Sequence, residues 1–168
     1  MAETEKGLPF GAPSLYLPQR PPMLVLDRVE SITEDSARCS AEAGASGPLE
    51  IFADEAGRLP LTLFIELMAQ TAGVWAGYWR RQENERLPEQ QRDAPLGLLL
   101  SVRGLEVRAA EIPRRGRLEV KMSKLFYEGP LGSFEGSVLC GGRLLACGRV
   151  SVCQPRNFEL TEKLDKAA

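Results

Sequence analysis

One apolar segment, from Leu61 to Trp79, constrains the fold of this chain more than any other feature of its sequence. Pro60 precedes the segment, and proline suits the first turn of a helix because its ring fixes φ and its missing N–H leaves no hydrogen bond unmade. We therefore predict a helix from about Leu61 to Arg81. At about 100° per residue its apolar side chains cover nearly the whole circumference, which is typical of a helix surrounded by other elements. Glu66 and Gln70 lie inside the segment, which favours a core helix over a membrane span.

Short apolar runs bounded by turn residues flank this helix in the sequence. Two predicted strands precede it, and the predicted strands are Met23–Glu30, Ser36–Ala43, Leu96–Val107, Arg117–Phe126, Ser133–Cys140 and Leu144–Cys153. Gly141-Gly142 is a typical two-residue hairpin turn. Two strands, one buried helix and four further strands predict an α+β domain, in which an antiparallel sheet wraps around one helix.

The length of 168 residues fits one domain. We place this domain at residues 15–155, after a flexible lead-in of residues 1–14 and before a C-terminal tail of residues 156–168. The N-terminus is acidic and no apolar segment of a secretory signal follows it. We therefore expect the protein to be cytoplasmic, where its four cysteines stay reduced.

The composition excludes several kinds of chemistry. The chain has no histidine, so it cannot form a Ser-His-Asp triad, an imidazole general base or an imidazole metal ligand. Its cysteines lack zinc spacing, and we expect no metal. A net charge of −2 argues against nucleic-acid binding, and the sequence lacks a phosphate-binding glycine motif, so we expect no cofactor.

A stripe of small and polar residues follows one side of the predicted helix. Its members are Thr62, Glu66, Ala69, Gln70, Gly73 and Gly77. Each glycine costs about 1 kcal/mol of helix propensity relative to alanine. Another backbone, or a narrow ligand channel, lying against the stripe would explain why both glycines are there.

Glu66 within this stripe has two interpretations. Its side chain could reach solvent or an arginine and form a surface ion pair. Alternatively, it could lie at the base of a pocket, where burial favours the protonated form and suits a general acid. Gln70, four residues further on, can reach it in either case. The sequence pattern alone leaves both interpretations open.

Three segments of the chain resemble the hotdog-fold 3-hydroxyacyl-ACP dehydratases, and most closely the divergent branch found in aryl-polyene clusters. The opening segment of that family resembles Leu17-Pro-Gln-Arg-Pro-Pro-Met-Leu-Val-Leu-Asp-Arg-Val29. The central helix resembles Pro60 with Phe64-Ile-Glu-Leu-Met-Ala-Gln-Thr-Ala-Gly73, and the last strand pair resembles residues 142–152. The resemblance spans about residues 15–154, and it implies a hotdog fold.

The resemblance also implies a mechanism, from which this chain departs. In the family a histidine removes the α-proton of the thioester, a helix carboxylate protonates the leaving 3-hydroxyl, and backbone N–H groups near the helix N-terminus polarise the carbonyl. Glu66 matches the carboxylate. Phe52 stands where the fatty-acid enzymes have the catalytic histidine, Gln19 replaces the histidine of the opening segment, and Leu61 replaces a glycine.

The resemblance leaves three hypotheses for function. The first is a 3-hydroxyacyl-thioester dehydratase, with Glu66 as acid and either Asp54 or a partner subunit's histidine as base. The second is a non-catalytic acyl-binding or scaffold subunit of a hotdog heterodimer. The third is a thioesterase that uses Glu66 to activate water.

Further residues are assigned on the same basis. We predict that the residues contacting substrate are Gln70, Thr62, Phe52 and Gly73. An acyl carrier protein is acidic and favours a basic docking surface. The candidates for such a surface are Arg80, Arg81, Arg114 and Arg115. The expected partners are an acyl-ACP or acyl-CoA thioester and a second hotdog subunit, identical or histidine-bearing; nucleic acid and membrane are not expected.

Overall fold

The computed structural model describes residues 9–85 and 97–154. This part of the chain contains one α-helix, α1 (Leu63–Glu83), and a six-stranded sheet. The strands are β1 (Arg28–Ile32), β2 (Ser36–Glu42), β3 (Leu98–Val107), β4 (Arg117–Glu128), β5 (Leu131–Cys140) and β6 (Arg143–Cys153). The predicted α+β class and element order are confirmed. The predicted tail, and most of the lead-in, lie outside the described residues, and the domain boundaries stay predictions.

The sheet is antiparallel throughout, with strand order β1-β2-β4-β5-β6-β3. The helix packs against β1, β2, β4, β5 and β6, so its apolar side chains form the core together with the sheet. The turn between β5 and β6 is Gly141-Gly142, with φ of 56° and 78°. Positive φ at both central residues is what a tight hairpin turn requires, and glycine adopts it without strain.

The helix starts two residues later than predicted. Leu63 N–H donates to the carbonyl of Pro60 and Phe64 N–H to that of Leu61, so residues 60–62 form a turn that leads into α1. Thr62 is the N-cap, and its side chain makes no capping hydrogen bond. No described helix is long and apolar enough to cross a membrane.

The first strand differs most from its prediction. Residues 23–27 were predicted to begin it, whereas β1 begins at Arg28. Leu26 and Val25 are nevertheless buried in the core. The backbone of this stretch pairs with the side chain of Gln70 instead of a neighbouring strand, which is why it contributes apolar residues without joining the sheet.

The N-terminal segment lies along the small-residue stripe of α1. A Cβ at Gly77 would overlap the carbonyl oxygen of Tyr16, and a Cβ at Gly73 would lie 2.7 Å from Cδ2 of Leu17. The two glycines thus admit the chain's own segment to close range. Of the two explanations offered for the stripe, the close approach of a backbone is confirmed at Gly77.

Strand β3 lies at one edge of the sheet and is exposed on both faces. Its ten residues are all exposed or half-buried. The apolar residues among them are Leu98, Leu99, Leu100, Val102, Leu105 and Val107, and five of the six are 37–55% exposed. Among the described residues, no strand pairs with its outer edge. Edge strands of this length and composition are usually covered by another chain or element.

Candidate functional site

The candidate site centres on one buried amide on α1. Gln70 is 2% exposed. Its Nε2 donates to Oε1 of Glu66 at 2.7 Å and to the carbonyl of Met23 at 2.8 Å. Its Oε1 accepts the N–H of Val25 at 3.0 Å. The predicted contact between Gln70 and Glu66 is confirmed, and the same amide fixes residues 23–25 against the helix.

Glu66 is partly exposed on the same face of α1. Its hydrogen bond comes from Gln70, and among the described residues no arginine or lysine forms an ion pair with it. Of the two interpretations of this residue, the surface ion pair is therefore not formed. A carboxyl group that is held by one neutral donor and keeps one oxygen uncommitted can exchange a proton with a ligand.

Gln70 was also predicted to contact substrate. Both of its N–H groups and its oxygen are already bonded to protein groups. We therefore assign Gln70 to the support of Glu66 and of the opening segment. Gly73, a further predicted contact, lies beneath Leu17, and a substrate contact there stays a prediction.

Asp54, the predicted alternative base, lies in an exposed loop between β2 and α1. Its Oδ1 accepts the backbone N–H groups of Ala56 and Arg58 at 2.9 and 2.8 Å, and its Oδ2 accepts Nε of Arg58 at 2.9 Å. These bonds, led by the backbone N–H of Arg58, lower the pKa of Asp54. A lowered pKa makes this carboxylate a weaker proton acceptor, so the structure gives the predicted base role no support.

Phe52 and Thr62 lie near the N-terminal end of α1. Phe52 ends a short 3₁₀ turn and is half-buried. It lines an open groove of about 450 Å³ together with Asp54, Leu61 and Glu111. Thr62 is exposed at the N-cap. The structure thus places Phe52 beside Asp54, as their sequence positions imply, and a role in substrate binding stays a prediction for both Phe52 and Thr62.

The four arginines predicted to bind a carrier protein divide into two pairs. Arg80 and Arg81 lie in the last turn of α1. Arg114 and Arg115 are exposed in the loop between β3 and β4, and the guanidinium of Arg114 approaches Gly57 in the loop that contains Asp54. At about 1.5 Å per residue, the helix separates the two pairs by about 25–30 Å. They are therefore two possible docking surfaces and not one.

The comparisons with known proteins agree on the family. The family model described as ApeP dehydratase, of the ApeP-like family, matches residues 12–164. The chain belongs to the ApeP-like dehydratase family. Comparison with curated protein sequences gives no match.

Solved structures support this assignment and the hotdog fold. A chain of the dehydratase heterocomplex ApeI:P from Xenorhabdus doucetiae is 31% identical to this chain, with a TM-score of 0.81, and the match covers 91% of this chain and 97% of that one. A hypothetical thioesterase with coenzyme A from Streptococcus pneumoniae TIGR4 matches with a TM-score of 0.55 at 9% identity, over 76% and 84% of the chains. AziG from S. sahachiroi matches with a TM-score of 0.53 at 18% identity, over 77% and 90%. The last two likenesses show the fold alone.

Within this ApeP-like chain, sequence reasoning identified the central pair but missed its anchor. The contact of Gln70 with the backbone of Met23 and Val25 joins groups 45 and 47 residues apart. Backbone groups carry no residue-specific signal in a sequence. The only available indication was a long polar side chain on a helix that is otherwise apolar, since such a group requires partners when it is buried.

Proposed function

We propose that this chain is one subunit of a heterodimeric hotdog dehydratase that acts on 3-hydroxyacyl thioesters. Glu66 acts as the general acid that protonates the leaving 3-hydroxyl, and a histidine of the partner subunit acts as the base that removes the α-proton. The observation that carries the proposal is the Glu66–Gln70 pair, held on the central helix of a chain that contains no histidine.

The need for a second subunit follows from the acid–base inventory. Elimination of water requires a group that accepts a proton as well as one that donates it, and a positioned base contributes about 10²–10⁴-fold to the rate. The imidazole that would serve is absent from the sequence. Asp54 is committed to its own loop by three hydrogen bonds. A base from outside the chain accounts for both observations.

The outer edge of β3 supports a partner of the same fold. A ten-residue strand with apolar side chains on both faces can pair with the edge strand of another sheet and bury that surface. The other edge strand, β1, has only five residues. The related ApeI:P structure is a heterocomplex, and we extend that arrangement to this chain.

Dehydration is tested with this chain alone, a histidine-bearing hotdog partner alone, and the two mixed, each with a 3-hydroxyacyl thioester on a carrier protein. We expect the enoyl thioester to form fastest in the mixture. Glu66→Gln in this chain should lower that rate by about 10²-fold or more, since it removes the acid and keeps the shape. Glu83→Gln, an exposed glutamate on the same helix, is the matched control and should have no effect.

A second candidate function is a non-catalytic subunit, which the absence of histidine also favours. It predicts that the mixture is active and that Glu66→Gln leaves its rate unchanged. Full turnover by this chain alone would contradict both candidates. Release of free thiol without enoyl product would instead indicate thioester hydrolysis.

A further inference from the structure

The orientation of the Gln70 amide is determined by two backbone groups. A carbonyl oxygen can only accept a hydrogen bond and a backbone N–H can only donate one. The carbonyl of Met23 lies 2.8 Å from Nε2 of Gln70, and the N–H of Val25 lies 3.0 Å from its Oε1. Exchanging the two ends of the amide would place acceptor against acceptor and donor against donor. The arrangement is thus fixed whatever the protonation state of Glu66.

This fixed orientation directs the second N–H of Gln70 at one carboxyl oxygen of Glu66. Nε2 of Gln70 lies 2.7 Å from Oε1 of Glu66. A proton on that oxygen would point at an N–H donor, which costs the hydrogen bond and adds a repulsive contact. When Glu66 is protonated, its proton therefore belongs on Oε2.

We propose that Gln70 is a positioning residue that reserves Oε2 of Glu66 as the oxygen that delivers the proton to substrate. The proposal rests on the proposed function, because it specifies how the acid of that reaction is oriented. Gln70 itself does not touch the reacting atoms.

The proton and electron balance of the step is complete with the groups already named. The partner's imidazole takes the α-proton, the electron pair of that C–H bond forms the C=C bond, and the bond from C3 to its oxygen breaks. The departing hydroxyl takes the proton from Oε2 of Glu66 and leaves as water. Glu66 remains as a carboxylate, and its Oε1 still accepts the N–H of Gln70.

A spectroscopic experiment tests the hydrogen bond without any substrate. In protein labelled with ¹⁵N in glutamine side chains, both Nε2 protons of Gln70 should resonate downfield of those of Gln82, which is exposed on the same helix. Glu66→Ala should shift only the proton that faces residue 66, whereas Glu66→Gln should leave both nearly unchanged because its oxygen can replace Oε1. Gln70 signals that match those of Gln82, or that ignore Glu66→Ala, would overturn the assignment.

The kinetic experiment separates positioning from mere structural support. Gln70→Met should lower kcat of the complex by about 10²-fold with KM changed less than about 3-fold, as expected when a reacting group is misplaced, and Gln82→Met should have no effect. In a Glu66→Gln background, Gln70→Met should cause no further loss, because no acid proton remains to be oriented. Losses that multiply would show that Gln70 acts independently of Glu66 and would refute the proposal. A wild-type complex without dehydratase activity would refute the proposed function instead, and the NMR result would still decide the hydrogen bond.

Discussion

Two glycines on one face of α1 should respond in opposite ways to the same substitution. Gly73 and Gly77 are one helical turn apart, and alanine at either position gains about 1 kcal/mol of helix propensity. What differs is the neighbour. At Gly73 the added methyl meets the end of the Leu17 side chain, whereas at Gly77 it meets the backbone of Tyr16, with the carbonyl carbon and Cβ both at 3.0 Å and the carbonyl oxygen closer still.

The magnitudes follow from how easily each neighbour moves. The Leu17 side chain can change rotamer, so Gly73→Ala should be neutral or stabilising by up to about 1 kcal/mol. The Tyr16 backbone can move only with the segment that carries it, and overpacking of this kind costs about 1–3 kcal/mol. After subtraction of the propensity gain, Gly77→Ala should destabilise the protein by about 1–2 kcal/mol.

Urea unfolding of the purified variants measures this difference. A domain of this size shifts its Tm by about 2–4 °C per kcal/mol, so thermal unfolding should lower the Tm of Gly77→Ala by about 2–8 °C. Gly73→Ala should keep or raise the wild-type Tm. Equal stabilisation of both variants would refute the reasoning, because it would mean that the Tyr16 segment does not lie against the helix in solution.

Three further predictions concern single groups. Burial raises the pKa of Asp27, so its charged form opposes folding above the usual range for aspartate; Asp27→Asn keeps an acceptor for the N–H of Glu42 and should stabilise the protein at pH 7, with the gain vanishing in urea titrations as the pH falls below about 4. Burial raises the pKa of the Cys39 thiol to about 12, so this cysteine alone should resist alkylation at pH 8 until the protein unfolds, as mass spectrometry of the labelled peptides would show. Charge reversal at Arg114 and Arg115 should weaken carrier-protein binding in low-salt calorimetry if the loop beside Asp54 is the docking surface, and unchanged affinity would exclude it.

The central helix could be predicted from the sequence because its signal is long and local. An apolar run that covers the whole circumference, preceded by Pro60, permits few other structures. Its start was predicted two residues early, because a proline and the two residues after it can form a turn as readily as the first turn of a helix. The hairpin at Gly141-Gly142 was predictable for a similar reason, since its backbone conformation depends on the two residues themselves.

Contacts between distant segments account for what the sequence did not show. Residues 23–27 have the composition of a strand, but their N–H and carbonyl groups bind a side chain of α1. Asp54 has the composition of a candidate base, but its carboxylate closes its own loop. In both cases the side-chain type was read correctly, and its partner decided the role.

The outer edge of β3 also bears on how such a protein must be produced. A copy synthesised without its counterpart presents ten residues of open backbone and aliphatic surface to every other polypeptide in the cell, and strands of this kind nucleate aggregates. Balanced synthesis of the two subunits would keep this ledge occupied from the start. Yield in the soluble fraction should accordingly rise on co-expression, so the same strand that completes an assembly also sets the stoichiometry at which the cell can tolerate it.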